Sequence, residues 1–359
     1  MGRAHAFAFS AVNRVFELPI TTDLVVLADA DASAAARAAY ALGFSRSTGD
    51  WSQLVRDPDI GIVSVTTPNT LHRPMALAAI AAGKHVYCEK PLAPTVAACE
   101  EMMLAAERAR VCTQVGFNYL KNPLLAVARD MIRSGELGEI RSFRGIHAED
   151  FMADASLPWT WRLDPAGGGG ALADLGSHIV ATARYLLGPI DAVMGDVATL
   201  IPHRPQTDRP GLRAVKVEDV GRAVLRFANG AHGSIEANWL ATGRKMQHDV
   251  EIAGSKGGLI FTQERLNELR LYRTDDPEGR RGFRTIVAGP EHSPYGAFCP
   301  APGHQLGFND LKTIEAGDFL RTIIQGGDAG ADFREGWEVA KVVDAIYRAA
   351  RQGGWIKVD

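Results

Sequence analysis

The stretch 60–91, IGIVSVTTPNTLHRPMALAAIAAGKHVYCEKP, decides the fold. It opens on an apolar, β-rich run at 60–66 and turns at Pro68-Asn69-Thr70. A helical, alanine-rich pattern then runs to Ala82 and stops at Gly83, a residue type free to adopt the left-handed conformation that ends helices. A second apolar run at 85–88 closes on Glu89-Lys90-Pro91. Strand, helix and strand in that order predict one parallel β-α-β unit.

The alternation extends to both sides. Upstream, 24–28 (LVVLA) is a strand ending at Asp29, and a helix over 33–42 is closed by Gly43. Downstream, Thr95 caps a helix that continues to Arg110, and 111–115 makes a further strand. Asn122-Pro123 opens the next helix as cap and first-turn proline, and Gly135 closes it. This texture predicts a Rossmann-type, doubly wound parallel sheet over 1–120. Past residue 140 strand follows strand, at 141–149, 192–201, 219–227, 231–239, 249–253, 258–262 and 269–273. Asn229-Gly230 between two of them is a hairpin signal. Direct succession means antiparallel pairing, so 121–359 is expected to be an α+β domain with a large, mostly antiparallel open sheet. Helices at 310–325 and 332–352 end the chain, the last packing back on the first domain.

Composition bounds the function. A chain of 359 residues suits two domains, and 46% hydrophobic with 23% charged residues marks an ordinary globular protein. A formal net charge of -3, with no basic block interleaved with aromatics, argues against nucleic acid or anionic membrane as partner. Cys88, Cys99, Cys112 and Cys299 form neither a C-x-x-C pair nor a metal-ligand spacing, which predicts reduced thiols and no metal. No apolar run approaches the ~20 residues of a membrane span, and no signal segment opens the chain. A cytoplasmic location is expected.

The front is unusual. Met1-Gly2-Arg3-Ala4-His5-Ala6 enters a helix with no strand before it, although a doubly wound nucleotide fold has its first strand at the centre, followed by G-x-G-x-x-G. Either the domain is of another kind, or Gly2 is the last glycine of that fingerprint and about a dozen further residues belong ahead of Met1; the second reading is favoured. Asp29, at a strand's carboxyl end, then stands where a carboxylate accepts from the adenosine ribose hydroxyls, a little beyond the usual ~20-residue spacing. Ala30 follows it with no adjacent Arg or Ser for a 2′-phosphate, so NAD is expected rather than NADP. The alternative is a loop carboxylate that caps the next helix.

Lys90 at the edge of a parallel sheet points to the crevice where ligands bind, and its ammonium can favour deprotonation of a substrate hydroxyl. The alternative is an ion pair with Glu89. Asp174 and His178, at i and i+4 in a helical stretch over 171–187, share a face. His is the natural general base for an alcohol proton, and a carboxylate one turn away can orient it; such pairs are otherwise exposed helix neighbours.

Two runs carry a family resemblance. Thr67-Pro68-Asn69-Thr70-Leu71-His72 with 82–92 (AGKHVYCEKPL) closely resembles the Gfo/Idh/MocA oxidoreductases, and Trp161-Arg162, 168–172 (GGGAL) and 174–178 (DLGSH) resemble that family's second signature. The opening Met1-Gly2-Arg3-Ala4-His5 resembles the end of its glycine-rich loop. The resemblance implies NAD-dependent oxidation of a secondary hydroxyl on a sugar, glycoside or inositol, with Lys90, Asp174 and His178 catalytic. It places Gly2, Asp29, Thr66, Pro68, Asn69, His72, Glu89 and Asn118 along the dinucleotide, with Asn118 and Tyr119 near its nicotinamide end. On the substrate side Trp161 offers a flat apolar plate and Arg162 a donor, and His304 reaches in from a late loop; core packing is the alternative for Trp161. A homodimer or homotetramer through the second-domain sheet is expected. Two rival functions share the fold: a glycosidase that uses NAD transiently without net NADH, and a non-catalytic NAD-binding sensor.

Overall fold

The structure, a computed structural model, describes residues 1–327 and 330–359. Its elements in chain order begin with helix α1 (Gly2–Val15), strand β1 (Val26–Ala28), α2 (Ala32–Leu42), β2 (Arg46–Thr48), α3 (Trp51–Arg56), β3 (Ile62–Val65), α4 (His72–Ala81), β4 (His85–Cys88), α5 (Val96–Ala109) and β5 (Thr113–Val115). Next come α6 (Pro123–Arg133), β6 (Ile140–Ala148), α7 (Ser177–Leu187), β7 (Ile190–Ala198), β8 (His203–Pro205), β9 (Leu212–Ala214), β10 (Val220–Phe227), β11 (His232–Asn238), β12 (Gln247–Gly254), β13 (Gly257–Thr262), β14 (Glu268–Arg273) and β15 (Arg284–Val287). The chain closes with α8 (Phe308–Gln325), α9 (Phe333–Gln352) and β16 (Ile356–Lys357).

Two compact units result: Met1–Lys121 with Gly307–Trp337, and Asn122–Leu306 with Glu338–Asp359. In the first unit every strand pairing is parallel. β1 pairs with β2, and β3, β4 and β5 lie side by side in a separate sheet. Val63, Val65, Val86, Tyr87, Cys88 and Val115 are buried, the near-continuous apolar content of strands covered on both faces. The helix ends follow local chemistry. Asp31 accepts from the amides of Ser33 and Ala34 to start α2, and Gly43 ends it at φ 81°. Thr95 accepts from Ala98 N to start α5.

The second unit is built on a nine-stranded sheet of order β15-β14-β13-β12-β6-β11-β10-β7-β16. All its pairings are antiparallel except β6 with β11. Along β10, buried Gly221, Ala223, Leu225 and Phe227 are interleaved with exposed Arg222, Val224 and Arg226, the period of a sheet with one covered face. Helix α7 lies against that face. A Cβ at Gly145 of β6 would stand 2.7 Å from Ile179 Cγ1, so the glycine permits the close approach.

Three expectations need correction. Residues 307–337 belong to the first unit, not the second, because α8 packs on α1: a Cβ at Gly317 would stand 2.8 Å from the Phe16 ring. Elements β2, α3, β8, β9, β15 and β16 go beyond those the sequence predicts; these strands are short, and none of them lies in a run of four or more apolar residues. The stretch 171–187 is not one regular α-helix. Leu172–Gly176 is a π-helical segment, and the α-helix begins at Ser177.

Candidate active site

The first unit presents Asp29, Thr66 and Glu89 directly after the carboxyl ends of β1, β3 and β4, and Asn118 shortly after β5. That is the edge at which doubly wound sheets bind ligands. Asp29 is exposed, and its Oδ1 accepts from Asp31 N. Helix α1 starts with no side-chain cap, and a Cβ at Gly2 would lie 3.3 Å from Thr66 Oγ1. The bare glycine therefore keeps the first turn of α1 open beside the end of β3. Asn118 is 2% exposed, and its Nδ2 has no hydrogen-bond partner among the described residues. An uncapped helix start for a pyrophosphate, a carboxylate for ribose hydroxyls and an unsatisfied amide donor together fit a dinucleotide. Pro68 and Asn69 form the short turn into α4, and Tyr119 is half-buried beside Asn118 in sequence.

Two of the residues expected to line the dinucleotide have internal work. His72 is buried, with Nδ1 3.0 Å from Pro91 O and Nε2 2.9 Å from Thr67 O, so it ties the turn after β3 to the turn after β4. Burial pushes its pKa down against the pull of those carbonyls. Glu89 is 5% exposed; its Oε1 lies 2.8 Å from His5 Nε2 and 2.7 Å from Lys312 Nζ, and its Oε2 accepts from Lys90 N at 3.3 Å. Burial raises the Glu89 carboxyl, yet Lys312 and His5 hold it well below the usual carboxylate range. Lys90 itself is half-buried.

The second unit gathers Trp161, Arg162, Asp174 and His178. Asp174 sits in the π-helical segment, a rare form that recurs at functional sites. Its Oδ2 is 3.5 Å from Arg162 Nε, and the Arg162 guanidinium stacks 4.6 Å from the Trp161 ring centroid. Trp161 is 40% exposed, which removes the core-packing alternative. The start of this helical stretch is held from outside. Glu218, buried, accepts from Gly170 N and Leu172 N at 3.0 and 2.8 Å and from Tyr347 Oη at 2.8 Å. A Cβ at Gly169 would collide with Tyr347 Oη, and one at Gly170 with Glu218 O, so the glycine run is a close-approach device.

His178 is 6% exposed and lies among rings the sequence did not single out. His147 of β6 is 5.4 Å from it and His248 of β12 6.5 Å, centroid to centroid. His147 faces Leu175 O at 3.1 Å through Nδ1 and Glu149 Oε1 at 3.2 Å through Nε2. Thr182 donates its hydroxyl to His178 O at 3.0 Å, so it accepts from His248 Nε2 at 2.9 Å, fixing that tautomer. Burial first, then the nearby His147, pushes the His248 pKa well down. Only β-strand register brings His147 and His248 opposite one another, and no local motif announces them. His304 is exposed, with Nδ1 3.2 Å from Ala301 O.

Residues 1–117 match the model of an oxidoreductase family with an NAD-binding Rossmann fold, and residues 125–260 match the GFO/IDH/MocA C-terminal domain. This chain belongs to the Gfo/Idh/MocA family. As a member it is an NAD-dependent oxidoreductase with a Rossmann domain followed by a domain carrying a large, mostly antiparallel sheet. Among its Gfo/Idh/MocA relatives, a levoglucosan dehydrogenase of Pseudarthrobacter phenanthrenivorans is 40% identical, covering 100% of this chain and 95% of that protein. A levoglucosan dehydrogenase solved in complex with NADH and levoglucosan is 40% identical with a TM-score of 0.96, covering 100% of this chain and 96% of the other. An inositol dehydrogenase homolog from Azotobacter vinelandii, solved with NAD+, is 26% identical with a TM-score of 0.79, covering 92% of this chain and 88% of that one. Among the described residues, no helix is long and apolar enough to cross a membrane.

Proposed function

We propose that this Gfo/Idh/MocA protein oxidises a secondary hydroxyl of an anhydro sugar of the levoglucosan type. The observation that carries the reading is His178, buried among two other imidazoles and followed by Thr182, with Asp174 and its Arg162 partner on the turn before it. Full-length similarity to levoglucosan dehydrogenase supports the substrate class.

NAD, when bound, supplies the hydride acceptor. Asp29 would accept from its ribose hydroxyls, the open start of α1 at Gly2 would meet its pyrophosphate, and Asn118 Nδ2 would donate toward its far end. His178 takes the proton from the substrate hydroxyl, and the Lys90 ammonium stabilises the oxyanion that develops. Trp161 offers a flat apolar face to the sugar ring, and Arg162 presents donors to its hydroxyls while paired with Asp174. Gly169 and Gly170, pressed against Tyr347 and Glu218, fix the turn that carries Asp174.

The test follows NADH absorbance with levoglucosan, L-sorbose and myo-inositol. Wild-type protein is expected to favour levoglucosan. His178→Asn and Lys90→Met are each expected to lose roughly 10²–10⁴-fold in kcat while NADH binding, read by fluorescence, persists. Lys90→Met with wild-type turnover would overturn the assignment.

A further inference from the structure

The charge buried around β4 exceeds what the proposed chemistry uses. Lys312 of α8 is 0% exposed; its Nζ lies 2.7 Å from Glu89 Oε1, 3.1 Å from Glu315 Oε2, 3.1 Å from Tyr87 Oη and 3.5 Å from His5 Nε2. Tyr87 Oη also donates to Glu315. Burying an ammonium with two carboxylates brings no reliable gain in stability, since apolar side chains of similar volume often do as well or better. Stability is therefore a poor reason for the cluster.

Its geometry supplies a better one. The only oxygen of Glu89 not turned to Lys312 and His5 is Oε2, which accepts from the backbone N of Lys90. On the other side Gly116 leaves no slack, because a Cβ there would lie 2.8 Å from the Glu89 carboxyl carbon. His5, in α1 shortly after Gly2, spans from Glu89 to Ser64 of β3, whose hydroxyl is 2.5 Å from its Nδ1. Burial and Lys312 push His5 down to about 4, so it is neutral at neutral pH; its Nε2–H donates to Glu89, and its Nδ1 accepts from Ser64. The carboxylates outweigh burial at Lys312 and keep it charged. One carboxylate thus fastens α1, β3, β4 and α8 next to Lys90.

We propose that Lys312 is a positioning residue for hydroxyl oxidation: held against Glu89, it locks that carboxylate onto the Lys90 amide and onto His5, so that Lys90 and the start of α1 share one frame. The proposal rests on the catalytic reading of Lys90, and its test is separable from that reading.

Lys312→Met, Glu89→Gln and the double variant would be compared with wild type. The measurements are kcat and KM for levoglucosan at saturating NAD, and hydrogen exchange at the Lys90 amide. Each single variant is expected to lower kcat about tenfold with sugar KM nearly unchanged. The double variant is expected to be no worse than Lys312→Met alone, because the two residues act as one unit. Exchange at Lys90 should quicken about tenfold, while amides of α2 keep their wild-type rates. Wild-type kcat in folded Lys312→Met with only a lowered melting temperature overturns the proposal, as does unchanged Lys90 exchange. Should Lys312→Met fail to fold, Glu89→Gln, which leaves Lys312 paired with Glu315, decides alone: wild-type kcat and exchange overturn the proposal, and loss of both supports it. Should wild-type protein oxidise no sugar, the dehydrogenase reading fails, and the exchange rates still decide whether Lys312 fixes Lys90.

Discussion

Glu218 faces two backbone amides and the Tyr347 hydroxyl, three donors around one buried carboxylate. Burial raises its pKa, and those donors work against the rise. Glu218→Gln turns an NH₂ toward donors that need an acceptor, so thermal or urea melts are expected to show a loss of about 1–3 kcal/mol. Turnover should fall with it, while NADH affinity, which belongs to residues of the first unit, stays near wild type; an unchanged kcat would show that the clamp does not matter to Asp174. At this scale the sequence was legible wherever chemistry is local. Lys90, Asp174 and His178, the proposed catalytic set, stand in short runs whose residue types single them out as candidates. Lys312 and Glu315 do not, because their partners His5, Tyr87 and Glu89 lie more than two hundred residues away in the chain. Nor did local sequence show that Glu89 and His72 carry internal bonds, since both sit in the same motif as residues that face outward.

Among the elements, the hairpin of β8 and β9 was invisible to sequence patterning, yet it steadies the segment ahead of Trp161. Arg204 of β8 is fully buried, and its guanidinium donates to Asp154 O at 2.7 Å and Met152 O at 2.5 Å. Pro205 O accepts from Trp159 N at 2.7 Å, and Arg213 of β9 stacks 3.3 Å from the Trp159 ring centroid. Arg204→Met should leave two carbonyls without donors and loosen the approach to Trp161. We expect a sugar KM raised about tenfold with NADH affinity retained; initial-rate kinetics check this, and an unchanged KM would limit the hairpin to a structural part. The parallel units and the long antiparallel strands were legible because each spans at least one full period of its pattern. The π-helical turn at Leu172–Gly176 was not, and Glu218 and Tyr347, which hold its start, lie outside the segment.

For the whole molecule, acid sensitivity follows from buried imidazoles. Burial lowers His5 to about 4, and lowers His72 and His248 as well, from an ordinary value of 6.5. The unfolded chain therefore takes up protons below 6.5 that the folded chain refuses. Stability is full above that value and falls as pH drops toward the folded pKa values, by at most about 1.4 kcal/mol per pH unit for each such histidine. Denaturation followed from neutral pH to pH ~5 should show this decline, and a flat profile would contradict it. The change of texture past residue 140 suggested two units, but nothing local announced the return of α8 to the first unit. The measurement that tests the central claim most directly counts NADH formed against levoglucosan consumed by wild-type protein supplied with NAD. The account predicts one NADH per sugar; sugar consumed without NADH, as a glycosidase using NAD transiently would do, or no consumption at all, would contradict it.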